Sequence, residues 1–205
     1  MVIAESTTSQ QVDDEMADLL AAAGDAVVQV RSGGRRVGAG TVWHDRGLII
    51  SNAHVAAGGP LEVTLADGRT LDSRLIARSE ELDIAALAVD AEDLPAIALG
   101  ESTSLKPGHL VVALGHPWGI VGAAASGVVI GIGSWWPEAP RAGREWIVAS
   151  MRLRPGNSGG PLLDSEGRLV GMNTMISGPE VGMAVPVHVV KRFLHNALGS
   201  RQPGS

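Results

Sequence analysis

Beyond Gly24 the chain is a succession of short apolar runs, each stopped by glycine or another turn former, and this punctuation restricts the fold more than any other feature. The runs are "AVVQVR", "RVGAGTVW", "GLIIS", "LEVTLADGRTLDSRLIA", "DIAALAV", "HLVVALG", "ASGVVIGIG", "EWIVASM", "PLLDSEGRLVGMNTM" and "VGMAVP". Many short strands with regular turn signals predict an all-β barrel or sandwich rather than βαβ units. Two hairpins are explicit: "TLADGRTL" turns at Asp67-Gly68, and "LLDSEGRLV" turns at Glu166-Gly167. Gln10 to Ala23 predicts a short amphipathic helix with Asp13, Asp14 and Glu15 in its first turns, where the helix dipole favours acids. Val187 to Leu198 predicts a closing helix, with Pro186 at its start and Gly199 beyond its end. "GESTSLKPGH" (residues 100–109) is the linker that splits the strands into two groups.

Composition excludes several classes. With 205 residues, 45% of them hydrophobic and 19% charged, the chain has material for a real core. A net charge of −6 argues against a nucleic-acid groove, so no nucleic-acid partner is expected. The absence of cysteine removes disulfides, thiolate metal sites and a cysteine nucleophile. No apolar run approaches the roughly 18 residues a membrane span needs. The opening "MVIAESTTSQQ" lacks the pattern of a secretion signal.

"RPGNSGGP" (154–161) is built from turn residues, and in isolation it reads equally as a turn before a strand or as the setting of a nucleophile at Ser158. A serine nucleophile needs a base, and the base needs an orienting acid. Of the six histidines, His54 in "GLIISNAHVAA" follows an apolar strand at a turn, a rigid platform for an aimed side chain. His188 and His195 fall on the closing helix as surface or packing residues, and His44 and His109 sit in turns. Asp83 in "ELDIAALAV" starts a strand of core residues, whereas Asp67, Asp72, Asp90 and Asp93 read as water-facing acids at strand edges. His54, Asp83 and Ser158 follow the His…Asp…Ser order of chymotrypsin-like barrels, not the order of subtilisin or α/β-hydrolase folds. The first two fall in the first strand group and the serine in the second, so a cleft between two barrels would hold all three. Backbone N–H groups of Gly156 and Ser158 would face a developing oxyanion, a geometry that glycine permits.

Five separated blocks carry a family resemblance: "GAGTVWHDRGLIISNAHV", "LDIAALAV", "LPAIALGESTSLKPGHLVVALGHPWG", "RPGNSGGPLLDSEGRLVGMNT" and "VGMAVPVHVVKRFL". In this order they resemble the protease domain of the HtrA (Deg) family of serine proteases, a branch of the trypsin-like fold. Asn157 before the serine follows the HtrA pattern; trypsin has Asp there. The resemblance implies two six-stranded antiparallel β-barrels with a short N-terminal helix and a C-terminal helix. On this reading residues 1–205 form one protease domain. An N-terminal barrel covers about 25–100, a linker 101–109, a C-terminal barrel 110–186 and a closing helix 187–198.

The resemblance makes His54 the general base, Asp83 the orienting carboxylate and Ser158 the nucleophile, with Gly156, Asn157 and Ser158 forming the oxyanion hole. Leu153, Met175 and Ile176 match the family's specificity pocket, or simply pack the second barrel. As a pocket they imply cleavage after small or medium apolar residues. The implied activity is ATP-independent cleavage of unfolded or flexible polypeptides through an acyl-enzyme, with no metal or cofactor. The alternative is a resting or non-proteolytic domain that binds substrate as a holdase. The family also favours an extracytoplasmic location.

The sequence departs from the family in several places. It ends about 20 residues after Pro186, too few for a PDZ module, so none is expected. Ser150 and Arg154 replace the family's usual acid and Asn. Arg152 and Arg154 read either as solvated surface cations or as a preference for acidic substrate residues. No aromatic precedes Trp43, which argues against the family's aromatic-type trimer. Trp135 and Trp136 read as a sticky loop surface or as core packing.

Overall fold

The protein is described from a computed structural model covering residues 8–34, 36–120, 122–134, 136 and 144–199. Helix α1 (Thr8–Gly24) leads into β1 (Val27–Ser32), β2 (Arg36–His44), β3 (Leu48–Ser51), β4 (Leu61–Thr64), β5 (Thr70–Ser79) and β6 (Ile84–Val89). A second group comprises β7 (Leu110–Gly115), β8 (Ala123–Gly133), β9 (Trp146–Ser150), β10 (Pro161–Leu163), β11 (Leu169–Ile176) and β12 (Val181–Pro186), and α2 (Val187–Gly199) closes the chain. Each group closes on itself, in the orders β1-β2-β3-β6-β5-β4 and β10-β11-β12-β9-β8-β7, with every pairing antiparallel. The expected pair of six-stranded barrels with two flanking helices is the observed fold.

Local sequence explains the elements. In β4, Leu61 and Val63 are buried while Glu62 and Thr64 alternate toward solvent, the period-two pattern of a strand with one wet face. The Asp67-Gly68 turn forms as predicted, with the Leu65 N–H donating to the Arg69 carbonyl at 2.8 Å. At the second hairpin, Asp164 Oδ1 accepts from the N–H groups of Glu166 (3.0 Å) and Arg168 (2.9 Å), tying the turn with one carboxylate. Strand β6 lies between β3 and β5, and α2 packs on both β5 and β6, so its apolar run is buried on two faces.

The barrels are joined by packing and by backbone hydrogen bonds. Val28, Ile49, Ile84 and Leu87 of the first barrel belong to the same buried cluster as Leu163, Val185 and the α2 residues Val190 and Phe193. A smaller cluster, including Val111, Val129, Ile147 and Leu162, fills the second barrel. Because α2 also packs on β11 and β12, it clamps one barrel to the other. Fully burying one such aliphatic side chain contributes about 1.5–3 kcal/mol. Nearer the cleft, the Ala39 N–H of β2 donates to the Ser158 carbonyl at 2.8 Å, and the Gly159 N–H donates to the Asn173 carbonyl at 2.8 Å. The loop carrying Ser158 is thus laced to both barrels.

Trp136 is half-buried and packs against the main core, whereas Trp135 and Arg35 lie outside the described residues. Among the described residues, no helix is long and apolar enough to cross a membrane.

Candidate active site

His54 sits in the turn that follows β3, where the N–H groups of Val55 and Ala56 both return to the Asn52 carbonyl. Asp83 immediately precedes β6 and adopts φ +56°, a left-handed conformation uncommon for a residue with a Cβ. Its carboxylate is fixed by three contacts from one residue. The His54 backbone N–H donates to Oδ1 at 3.0 Å, and His54 Nδ1 lies 3.0 Å from Oδ1 and 2.8 Å from Oδ2. The carboxylate side chain is 10% exposed and the imidazole 48%, so a buried acid anchors a ring that opens to the cleft. An ionised carboxylate only accepts hydrogen bonds, so this contact places the imidazole proton on Nδ1 and the lone pair on Nε2.

Two residues that the sequence reading did not single out complete the frame. Asn52 Nδ2 donates to the Asp83 carbonyl at 3.0 Å and to Thr174 Oγ1 at 2.9 Å, and both Asn52 and Thr174 are buried. The Thr174 carbonyl in turn accepts the Ser158 hydroxyl at 2.9 Å. The signals were adjacency alone: Asn52 stands two residues before His54, and Thr174 stands one before Met175.

Ser158 lies where two cavities meet. One, of about 290 Å³, is lined by Val37, His54, Val55, Pro155, Gly156 and Ser158. The other, of about 270 Å³, is lined by Leu153, Arg154, Pro155, Asn157, Ser158, Thr174, Met175 and Ile176. Leu153, Met175 and Ile176 therefore share a cavity with the serine, with Leu153 buried and Ile176 exposed. Arg152 is exposed and Arg154 half-buried.

The segment before the serine is a turn of defined type. The Asn157 N–H donates to the Arg154 carbonyl at 2.9 Å, with Pro155 second in the turn and Gly156 third at φ +103°. These are the marks of a type II turn. A Cβ on Gly156 would lie 2.5 Å from the His116 carbonyl oxygen, so glycine is required on space as well as on torsion. The Gly156 carbonyl accepts from the His116 N–H at 2.9 Å, and the Asn157 carbonyl accepts from the Gly160 N–H at 3.0 Å. Both carbonyls are engaged within the fold, while the N–H groups of Gly156 and Ser158 have no acceptor among the described residues. Asn157, expected in the oxyanion hole, lies between the two. Its N–H is used on Arg154, and its side-chain oxygen accepts the Arg154 N–H at 2.9 Å, so it braces the turn.

His116, which supports this turn, is buried, and burial pushes its imidazole below the ordinary histidine range, with the nearby Val28 carbonyl offsetting part of the effect. Its Nδ1 accepts a long bond from the Gly122 N–H at 3.4 Å.

A second Ser–His–acid chain is present among the described residues. Ser102 Oγ lies 2.8 Å from His188 Nδ1, and His188 Nε2 lies 3.0 Å from Glu145 Oε2. Ser102 is fully buried and also accepts the His188 backbone N–H at 3.2 Å. This set ties the linker to the start of α2 and to the residue immediately before β9. His188 is thus a bridging residue rather than a surface one. Among the described residues, no group of three or more His, Cys, Asp or Glu is placed to hold a metal ion.

Comparison with known proteins agrees with the geometry. Residues 38–172 match the family model of the trypsin-like peptidase domain. The chain belongs to this family. This peptidase domain is 37% identical over 161 residues to a probable periplasmic serine endoprotease, DegP-like, of Halomonas elongata, covering 76% of the chain and 34% of that protein. It is 39% identical over 163 residues to the chloroplastic Protease Do-like 1 of Arabidopsis thaliana, covering 75% of the chain and 37% of that protein. It is 32% identical over 208 residues to the mitochondrial serine protease HTRA2 of Drosophila pseudoobscura pseudoobscura, covering 93% and 49% respectively. Among solved structures, the HtrA-type protease AlgW with tripeptide superposes with a TM-score of 0.84 at 27% identity, covering 91% of this chain and 64% of that one. The peptidase domain spans between about a third and a half of the length of these curated relatives.

Proposed function

We propose that this peptidase domain is a serine endopeptidase of HtrA type that cleaves unfolded or flexible polypeptide segments. The observation that carries the reading is the doubly held His54–Asp83 pair, whose His54 lines a cavity together with Ser158. In the reaction, the Ser158 hydroxyl turns from the Thr174 carbonyl toward His54 Nε2. His54 takes its proton as Oγ attacks the scissile carbonyl carbon, and Asp83 stabilises the imidazolium that forms. The Gly156 and Ser158 amides receive the negative charge on the carbonyl oxygen. Collapse of the tetrahedral species breaks the C–N bond, and His54 gives the proton to the leaving amine. A water, deprotonated by His54, then hydrolyses the acyl-enzyme and regenerates the Ser158 hydroxyl. The cycle uses only this chain's own groups and water.

The cavity lined by Leu153, Met175 and Ile176 supports small or medium apolar residues before the cleaved bond. The periplasmic, chloroplastic and mitochondrial relatives support a compartment outside the cytosol for this domain as well. Because His54 and Asp83 come from the first barrel and Ser158 from the second, we read residues 25–186 as one catalytic unit clamped by α2. The test is digestion of casein: wild type degrades it and Ser158→Ala does not. Equal digestion by both would refute the assignment.

One observation favours a second reading, in which the domain binds substrate and rests without cleaving. The Ser158 hydroxyl is donated to Thr174 rather than held ready on the base. Casein binding by wild type with no digestion, even after prolonged incubation, would support that reading.

A further inference from the structure

Arg154 forms part of the wall of the cavity that contains Ser158, Leu153 and Ile176. Its guanidinium carbon lies 4.4 Å from the centre of the Trp118 ring. Trp118 is 69% exposed and adopts φ +57° and ψ 17°, a left-handed conformation disfavoured for a side chain of this size. Little burial rewards that conformation; among its contacts is the stack on Arg154. The Arg154 backbone is fixed as well, since its N–H donates to Asn157 Oδ1 and its carbonyl accepts the Asn157 N–H, both at 2.9 Å.

Stacking uses the face of a guanidinium and leaves its in-plane N–H donors for an acceptor. The ion pairs of the described residues engage Arg31, Arg69, Arg78 and Arg168, and none engages Arg154. A pre-positioned cation with no carboxylate partner among the described residues therefore stands at the rim of a cavity whose other walls are largely apolar.

We propose that Arg154 determines specificity by recognising a carboxylate on the polypeptide, carried by the immediate neighbour of the apolar residue that fills this cavity. The proposal rests on the reading that polypeptides bind at Ser158. A glutamate there would present its carboxylate to the guanidinium fork at the rim while the apolar residue beside it packs on Leu153 and Ile176. Lysine or arginine at the same place would meet a like charge. Because the whole chain carries −6, long-range attraction of acidic segments is absent, and the preference is a short-range one.

The test measures binding, so that it does not depend on turnover. Flexible decapeptides with a central Ala or Val, differing only in Glu or Gln next to that residue, are titrated calorimetrically into the Ser158→Ala protein. The expected result is about fivefold tighter binding of the Glu peptide. That ratio should fall to about one when Arg154→Gln is added, and Arg154→Lys should retain part of it. A loss of fold would weaken both peptides alike and leave the ratio in place. Equal affinity of the two peptides, including no binding of either, would overturn the proposal, as would a ratio unaffected by Arg154→Gln. Selective binding without casein digestion by wild type would leave this inference standing and refute the endopeptidase reading. Digestion without selectivity would do the reverse.

Discussion

Asn52 and Thr174 stand 122 residues apart in the chain and share a buried hydrogen bond, Nδ2 to Oγ1, of 2.9 Å. The same Asn52 nitrogen holds the Asp83 carbonyl, and the Thr174 carbonyl holds the Ser158 hydroxyl. One amide thereby couples the acid of the first barrel to the serine of the second. Asn52→Ala should lower the free energy of unfolding by about 1–3 kcal/mol, because it leaves buried acceptors without a donor. It should also lower kcat for a peptide substrate by about tenfold while changing KM little, since it loosens alignment rather than contact with substrate. Urea unfolding and steady-state kinetics check the two halves separately.

Asp83→Asn keeps the shape of the acid but replaces an oxygen acceptor with an N–H donor facing His54 Nδ1. The imidazole proton is then driven to Nε2, where the base needs a lone pair. A fall in kcat of about 10³–10⁴ is expected near neutral pH. Activity within tenfold of wild type would mean that Asp83 does not set the tautomer.

Gly156→Ala demands a Cβ at a residue with φ +103° and only 2.5 Å from the His116 carbonyl oxygen. The turn must distort, and with it the amide aimed at the oxyanion. Catalysis should fall by at least about 10²-fold, the usual loss for one such donor. Retained labelling of Ser158 by a fluorophosphonate, with casein digestion lost, would separate damage to the oxyanion turn from loss of the nucleophile.

Acid should weaken the fold through His116. Its imidazole is held below the ordinary value of about 6.5 by burial, so the unfolded chain takes up a proton before the folded protein does. The stabilisation from a neutral His116 is therefore complete above about pH 6.5 and is lost as pH falls below it. Measured in the Ser158→Ala background to prevent self-digestion, the urea midpoint should drop between pH 7.5 and 5.5. His116→Asn should flatten that drop, and an equally steep drop in the variant would assign the effect to other groups.

The three residues proposed as the catalytic set were legible because each sits beside a strong local signal. His54 follows an apolar strand, Asp83 opens one, and Ser158 lies among turn residues. The barrels were legible for a similar reason, since hairpins such as Asp67-Gly68 announce themselves within eight residues. Asn52, Thr174 and His116 were not, because partners such as Asp83, Ser158 and Gly156 are brought to them only by folding. Nothing local in "NTM" marks Thr174 as the acceptor for a serine sixteen residues earlier. Trp118 was hidden for another reason: its left-handed torsion is set by the His116–Gly119 turn and by Arg154, neither of which a tryptophan in sequence foretells. Conversely, the Ser102–His188–Glu145 chain would have misled a search on residue types alone; burial of Ser102 and the reversed imidazole, with Nδ1 on the serine, tell it apart.

That contrast supplies the most direct test of the account, whose central claim is that His54 and Asp83 activate Ser158. The wild-type protein is treated at pH 7.5 with a fluorophosphonate, and the modified residue is located by peptide mass spectrometry. One adduct per chain, on Ser158, abolished by His54→Ala, is the predicted result. No adduct, or an adduct on another serine such as Ser102, would contradict it.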